Sequence, residues 1–219
     1  MELDIPDPGF DRVATLDIET THYKPQKGEV VSIGVGAHEV GKDATTIEYE
    51  LQHRSAPSVD NEVELIKQSL GAVNMFDADG LVSYNGKDFD VWFLEERLSR
   101  NGAGQFHSQD LLPDTHIDLL EARKQQCRGR KWPSLEECLA AYELPIPKTV
   151  WKEEKLDNTR FGKELGPRYL SMLADGDAGD LRAVIEHYLR TDLEANFAVY
   201  YADIGLPFDP SLLDSDEEF

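Results

Sequence analysis

The order of strand-like and helix-like segments limits the folds that this chain can adopt. Three β-rich runs come first, separated by connections short enough for an antiparallel meander: residues 12–17 (RVATLD), 29–37 (EVVSIGVGA) and 45–51 (TTIEYEL). Helical and strand periodicities then alternate, at residues 61–76, 80–84, 88–100 and 114–118. A meander followed by β/α units predicts an α/β fold. Its mixed central sheet has antiparallel strands and then parallel ones, with helices on both faces.

The C-terminal third of the chain contains the clearest helical pattern. Residues 181–201 place apolar side chains along one side of a helix, and a capping box opens a shorter helix at residues 134–142. Residues 144–166 show no clear period. We expect one domain over residues 1–208, followed by a flexible acidic tail at residues 209–219.

The charge balance is unusual for a protein that binds nucleic acid. Asp and Glu number 43 against 22 Lys and Arg, a formal net charge of −21, whereas nucleic-acid-binding proteins usually present a basic surface. A salt-rich cytoplasm would screen this repulsion, bound cations would offset it locally, or the protein binds no nucleic acid. We favour the first explanation, a halophilic protein. No apolar run is long enough to cross a membrane, so we expect a cytoplasmic location.

Acidic residues in three short motifs are the candidate metal ligands. In the first motif, residues 16–20 (LDIET), Asp17 and Glu19 project to the same face of a strand because side chains alternate. Burying two carboxylates is costly without a cation, and Mg²⁺ and Mn²⁺ prefer oxygen ligands. Such a pair also arises often by chance, with Glu19 only marking the exposed end of the strand.

The second motif is residues 85–90 (NGKDFD). Its Asn-Gly pair indicates a turn, Asp88 can cap the helix that follows, and Asp90 falls in the first helical turn. The helix dipole alone would account for Asp90. Alternatively, Asp90 reaches a metal opposite Asp17, and Asn85 holds the turn or the substrate.

The third motif places Tyr188 and Asp192 four residues apart on the predicted helix, so both face the same side. Asp192 lies in line with the apolar stripe of that helix. A carboxylate in an apolar stripe needs a partner, and a metal ion is the natural one. The alternative is a core tyrosine beside a surface aspartate.

Together the motifs resemble those of the DEDD (DnaQ-like) 3′–5′ exonucleases, which are D-x-E, N-x-x-x-[F/Y]-D, and Y-x-x-x-D or H-x-x-x-x-D. Residues 115–123 (THIDLLEAR) and 134–144 (SLEECLAAYEL) further resemble the YprB-type ribonuclease H-like domains. The resemblance spans residues 11–203. It implies an RNase H-like fold and a metal-dependent 3′–5′ exonuclease acting on single-stranded DNA or RNA.

The same resemblance implies a two-metal mechanism. Two Mg²⁺ or Mn²⁺ ions would be held by Asp17, Glu19, Asp90 and Asp192. Asp17 would bridge the ions, and Tyr188 would orient the attacking water.

The sequence leaves open whether Tyr188 or His187 orients the attacking water. It lies five residues before Asp192, so the chain also satisfies the histidine version of the third motif. Positions five apart on a continuous helix differ in direction by about 140°, and positions four apart by about 40°. This favours Tyr188, whereas a helix that begins near Tyr188 would leave His187 in a loop, able to act as the base.

A basic cluster at residues 123–131 is followed by an aromatic residue. Arg128, Arg130, Lys131 and Trp132 would suit a single-stranded substrate through phosphate contacts and base stacking. A solvated loop between two helices explains them equally well. The rival functions for the whole chain are a catalytically silent nucleic-acid-binding or scaffold domain and a phosphodiesterase acting on short oligonucleotides.

Overall fold

In a computed structural model, which describes residues 1–127, 131–176 and 178–219, the main sheet has five strands. They are β1 (Arg12–Thr20), β2 (Val30–Glu39), β3 (Glu48–His53), β4 (Gly80–Ser83) and β5 (His116–Asp118). Their order across the sheet is β3-β2-β1-β4-β5. The first three strands pair antiparallel, and β4 and β5 continue the sheet in parallel. The predicted mixed sheet, a meander followed by parallel strands, is confirmed.

Helices pack on both faces of this sheet, as predicted. They are α1 (Val59–Met75), α2 (Trp92–Arg100), α3 (Leu119–Cys127), α4 (Leu135–Ala141), α5 (Asn158–Arg160), α6 (Gly166–Asp175) and α7 (Gly179–Asp203). The helices α1 and α2 cover one face, and α7 crosses the other with α4 packed against it. Among the described helices, none combines the length and apolarity needed to cross a bilayer.

Strand β1 divides its side chains between these two layers. Leu16 and Ile18 join the apolar core beneath α1 and α2. The alternate residues face α7, where the Thr15 hydroxyl accepts a hydrogen bond from Asn196 Nδ2 at 3.1 Å. The β1 acids lie on this second face, beneath the longest helix of the described chain.

A small second sheet lies partly within residues 144–166, where the sequence shows no period. Its strands are β6 (Lys148–Trp151), β7 (Glu154–Lys155) and β8 (Asp216–Glu218). Between β6 and β7, Lys152 and Glu153 have positive φ angles of 54° and 65°. Hairpin turns of this kind usually contain Asn or Gly at such positions. The turn therefore lacks the residues that would have marked it in the sequence.

The acidic segment at residues 209–219 is attached to the fold, which differs from the flexible tail that we predicted. The buried carboxylate of Glu194 on α7 accepts hydrogen bonds from the N–H groups of Ser211, Leu212 and Leu213 at 2.6–3.0 Å. Leu213 is buried, and β8 then pairs in parallel with β6. The prediction rested on composition, which does not reveal that an internal carboxylate binds this backbone.

Candidate active site

Three carboxylates converge on the α7 face of the sheet. Oxygen atoms of Asp17, Glu19 and Asp192 lie within 4.8 Å of one another. The first two residues belong to the C-terminal half of β1, and the third extends from α7. Hard divalent cations prefer several oxygen donors at close spacing, so this donor set fits Mg²⁺ or Mn²⁺.

A glycine allows α7 to approach β1 closely at this point. Gly34 on β2 pairs with Asp17, and a Cβ added to it would lie 2.9 Å from Leu193 Cδ1 on α7. A side chain at position 34 would therefore force the helix or its leucine to move. Because Leu193 adjoins Asp192, the glycine helps to set the distance between Asp192 and the β1 acids.

Asp90 is presented by the wide turn that follows β4. The N–H of Val91 donates to the carbonyl of Gly86 at 2.9 Å, five residues earlier, before α2 begins. Asn85 adopts a φ of 67°, a left-handed conformation that Asn tolerates better than most residues. Asp90 itself is only 5% exposed. The turn thus inserts a carboxylate into the protein interior rather than leaving it on a helix surface.

The four carboxyl groups influence one another electrostatically. Burial is the largest cause that raises the pKa of each, and it holds the pKa values of Asp17 and Glu19 well above their ordinary range. Nearby Asp192 and Asp90 raise both further. The pKa values of Asp90 and Asp192 are each raised to about 7. In the described part of the chain, none of the four forms an ion pair with Lys or Arg.

Tyr188, and not His187, lies on the side of α7 that faces the acids. Burial and then the charges of Asp192, Glu19 and Asp17 raise its pKa well above the ordinary value. His187 points elsewhere, with Nδ1 2.7 Å from the Thr149 hydroxyl and Nε2 3.3 Å from the Ser215 hydroxyl. Because α7 is continuous from residue 179, the condition under which His187 would lie in a loop is not met.

Asp118 supports the turn that carries Asp90. The carboxylate accepts hydrogen bonds from the N–H of Leu120 at 3.0 Å, as a cap does, and from those of Asn85 and Lys87 at 2.9 and 3.1 Å. Asp118 therefore joins the start of α3 to the Asp90 turn, and its charge also raises the pKa of Asp90.

The predicted basic cluster is divided by the structure. Arg123 is fully buried and bonds Asp203 through two nitrogens at 2.7 and 2.8 Å, so it has no role at a surface. Arg128 and Arg130 lie outside the described residues. Lys131 is exposed and pairs with Glu137 at 3.2 Å.

An exposed tryptophan and a half-buried lysine form a pair beside the Asp90 turn. Trp132 is 53% exposed, and Lys124 Nζ lies 4.8 Å from the centre of its ring. The same ammonium group donates to Asn85 Oδ1 at 3.1 Å and to Asp88 Oδ2 at 2.6 Å. Asp88 therefore pairs with Lys124 and does not cap α2, which corrects the sequence prediction. Lys124, Trp132 and Asn85 form one continuous patch.

Three further residues beside the acids were missed by sequence analysis. The Tyr188 hydroxyl donates to Asn158 Oδ1 at 2.6 Å. Next to Asp192, a cavity of about 40 Å³ between α4, β7 and α7 is bordered by Lys155 and Glu136, which pair at 2.7 Å. Asn158 and Lys155 belong to residues 144–166, which show no period, so no sequence signal could have found them.

The protein is similar to known DNA polymerases in its fold and, over one stretch, in its sequence. The family B DNA polymerase from the hyperthermophilic archaeon Pyrobaculum calidifontis matches 90% of this chain with a TM-score of 0.58 and 19% identity, using 25% of the polymerase chain. DNA polymerases from Thermococcus aggregans and Desulfurococcus sp. (strain Tok) are 31% and 30% identical over 94 residues. Those matches cover 42% of this chain and only 5% and 12% of the respective polymerases.

A family profile covers most of the chain. The profile described as RNase_H superfamily matches residues 14–202, which run from β1 almost to the end of α7. The match includes all four acids and Tyr188, and it confirms the RNase H-like fold that the motif resemblance implies. The chain belongs to the RNase H superfamily.

Proposed function

We propose that this protein is a metal-dependent 3′–5′ exonuclease that hydrolyses phosphodiester bonds of single-stranded DNA or RNA. The observation that carries the proposal is the convergence of Asp17, Glu19 and Asp192 within 4.8 Å, although Asp192 lies far from the other two in the chain. Asp90 and Tyr188 adjoin the same cluster. This set matches, residue by residue, the motifs through which the chain resembles the DEDD exonucleases.

The four acids would hold two Mg²⁺ or Mn²⁺ ions. When bound, such ions supply positive charge to the scissile phosphate and lower the pKa of water. The raised pKa values of the acids support this assignment, because buried carboxylates without a cationic partner are costly to ionise. Bound cations would also supply, locally, the positive charge that a protein of net charge −21 lacks.

Tyr188 would position the water that attacks the phosphate. Its hydroxyl donates its only proton to Asn158, so its oxygen remains able to accept a hydrogen bond from that water. Its raised pKa keeps the phenol neutral near pH 7, which suits a positioning group rather than a base. Asn158 would hold the hydroxyl in place.

The patch of Lys124, Trp132 and Asn85 would hold the substrate strand. An exposed indole can stack on a base, and Lys124 and the nearby Lys131 can contact phosphates. Arg128 and Arg130 remain candidates on sequence grounds alone. The proposal covers both DNA and RNA as substrates. It also places the protein in the cytoplasm of a cell with a high salt concentration.

A single assay tests the activity and its direction. Single-stranded DNA and RNA carrying a 5′ label would be incubated in high KCl with Mn²⁺ or Mg²⁺, beside the Asp17→Asn variant and an EDTA control. We expect a ladder that shortens from the 3′ end and is absent in both controls. The exposed Asp60→Asn change on α1 is the matched variant and should leave the ladder intact.

Other products would favour one of the rival functions. Cleavage confined to oligonucleotides of a few residues would favour the phosphodiesterase, an alternative that the strongly acidic surface supports. A folded protein that binds strands without cutting them, with or without metal, would instead be a catalytically silent binding domain.

A further inference from the structure

A second concave region lies at the opposite edge of the sheet from β5, along the edge strand β3. It is a cleft of about 640 Å³ between α1 on one side and the adjoining ends of α6 and α7 on the other. Its floor is the end of β3 with the residues that follow, 50–55. The cleft shares no lining residue with the acid site.

The backbone of β3 can accept another strand within this cleft. Arg54 N–H donates to the carbonyl of Val31 on β2 at 2.9 Å, and the strands pair with an unbroken register. In an antiparallel pair, consecutive residues direct their N–H and C=O groups alternately toward and away from the partner. The groups of Gln52 therefore face β2, whereas those of Leu51 and His53 face the cleft. Within the described residues, no group bonds these outward N–H and C=O groups.

The side walls restrict what can enter. Leu65 on α1 and Leu173 on α6 provide apolar contacts on opposite sides of the strand, and Tyr169 donates to the Arg54 carbonyl at 2.8 Å, which ties α6 to the end of β3. An extended segment with side chains alternating between the two walls matches this shape, because a strand projects successive side chains to opposite faces.

The charge of the cleft selects among such segments. Glu50 and Glu64 are exposed on its rim, and neither pairs with Lys or Arg in the part of the chain that the structure describes. The one exposed cationic side chain of the lining, Arg182, is paired with Glu186 at 2.9 Å. A second copy of this chain would bring Glu50 and a net charge of −21 against the same charges.

We propose that this cleft is a docking site for an extended, basic segment of another protein, which adds to β3 as a sixth strand. Backbone hydrogen bonds to Leu51 and His53 hold the segment, and its Lys or Arg side chains pair with Glu50 and Glu64. The inference does not depend on the proposed nuclease activity, because it concerns the other edge of the sheet.

The test uses a labelled peptide of about eight residues in which Lys and Val alternate, and fluorescence anisotropy with the full chain. Its control is the same peptide N-methylated at every backbone nitrogen, which keeps the charge but leaves no backbone N–H to donate to an edge strand. We expect N-methylation to weaken binding by at least about tenfold, since two or more backbone hydrogen bonds are lost. Glu50→Gln/Glu64→Gln should also weaken it, whereas the equally charged variant Asp4→Asn/Asp110→Asn, with changes outside the cleft, should not.

Three results would overturn the proposal. Equal binding of both peptides would show that charge alone attracts them, and no binding of the unmodified peptide would show that β3 does not accept a strand. Loss of peptide binding as the chain forms a concentration-dependent dimer in light scattering would show that a second copy occupies the edge. The nuclease assay is unaffected by any of these outcomes.

Discussion

Buried carboxylates occur on both faces of the sheet, and their surroundings differ. On the α1 face, Glu62 is fully buried and bonds Arg97 at 2.6 and 2.8 Å, Asn101 at 3.0 Å and the N–H of Val30 at 2.8 Å. Within the described chain, each oxygen of this carboxylate thus has a donor, and a guanidinium balances its charge. Such a pair contributes to folding and leaves no capacity for a ligand.

On the α7 face, the carboxylates of Asp17, Glu19 and Asp192 lie near one another without an arginine or lysine paired to them in the described residues. Burial, and then the charges of neighbouring acids, raise the pKa values of Asp17 and Glu19, and no guanidinium offsets this in the described residues. The comparison teaches that burial of an acid does not by itself identify a site. A cluster of buried and half-buried acids that the protein does not neutralise identifies a site, because it needs a cation from solution.

The largest effect should come from Asp17→Asn. Removing this metal ligand should lower the rate of strand hydrolysis about a thousandfold, because a metal clamp contributes several kcal/mol and each 1.4 kcal/mol is about tenfold. Calorimetry with Mn²⁺ should show weaker binding in the same variant. If Asp17→Asn retained both activity and Mn²⁺ binding, the acids on the α7 face would not be metal ligands, and the contrast with Glu62 on the α1 face would fail.

Glu62→Gln should lower stability and leave activity and metal binding unchanged, the opposite of Asp17→Asn. The change removes the carboxylate that Arg97 and Arg54 contact in the interior. We therefore expect urea denaturation to show a loss of about 3 kcal/mol in the free energy of unfolding. Activity per folded molecule and Mn²⁺ affinity should be unchanged. Reduced Mn²⁺ affinity in a fully folded variant would mean that the two faces are coupled.

Tyr188→Phe should lower kcat about a hundredfold with a smaller change in KM, because the hydroxyl positions a reacting water. His187→Ala is the matched change on the other side of α7 and should leave kcat within about twofold, since it touches no acid. Asn158→Ala should lower kcat less than Tyr188→Phe. A larger loss with His187→Ala than with Tyr188→Phe would reverse the assignment.

The free energy of unfolding should fall as pH rises when metal is absent, and bound metal should abolish this dependence. The pKa values of Asp90 and Asp192 are near 7 in the folded protein and near 3.8 when unfolded, so their stabilisation is complete below about pH 4 and is lost as pH rises through 7. In EDTA, urea denaturation should therefore give roughly 5 kcal/mol less stability at pH 8 than at pH 5, since each of the two groups loses about 1.4 kcal/mol per pH unit up to pH 7. Mn²⁺ should remove that loss, and Asp90→Asn should flatten the EDTA profile.

The smallest effect concerns those exposed acids that pair with neither a guanidinium nor a metal ion bound at the site. Screening their mutual repulsion should raise the unfolding temperature as KCl increases from low to multimolar concentration, because the Debye length falls to about 3 Å at 1 M salt. Differential scanning calorimetry of the EDTA-treated protein would measure this. No gain in stability over that range would refute adaptation to high salt.

The local pattern of the sequence was enough to predict most elements that carry the site. The three strands of the meander, the short strand before the Asn85 turn and the long helix α7 all follow from apolar periodicity. Asp192, which the sequence places in line with the apolar stripe of its helix, is half-buried in the structure. Periodicity works here because each of these elements has one face that is buried by its own neighbours.

The exceptions are residues whose environment depends on distant segments. Arg123 has the sequence context of a surface cluster, yet Asp203, eighty residues away, holds it in the interior. The segment after residue 208 is acidic, yet Glu194 binds its backbone. Asn158 lies in a segment with no period, and only the path of the chain brings it to Tyr188. None of these pairings leaves a signal in the local sequence.

The sequence by itself determined which residues are candidates, because motif spacing and strand or helix periodicity are properties of neighbouring residues. Only the tertiary structure decided that Asp17 and Asp192 meet, through the crossing of α7 over β1 that Gly34 permits. It also decided that Tyr188 rather than His187 faces the acids, since this depends on where α7 begins. Contacts between segments far apart in the chain depend on the packing of the whole core, which no short stretch of sequence encodes.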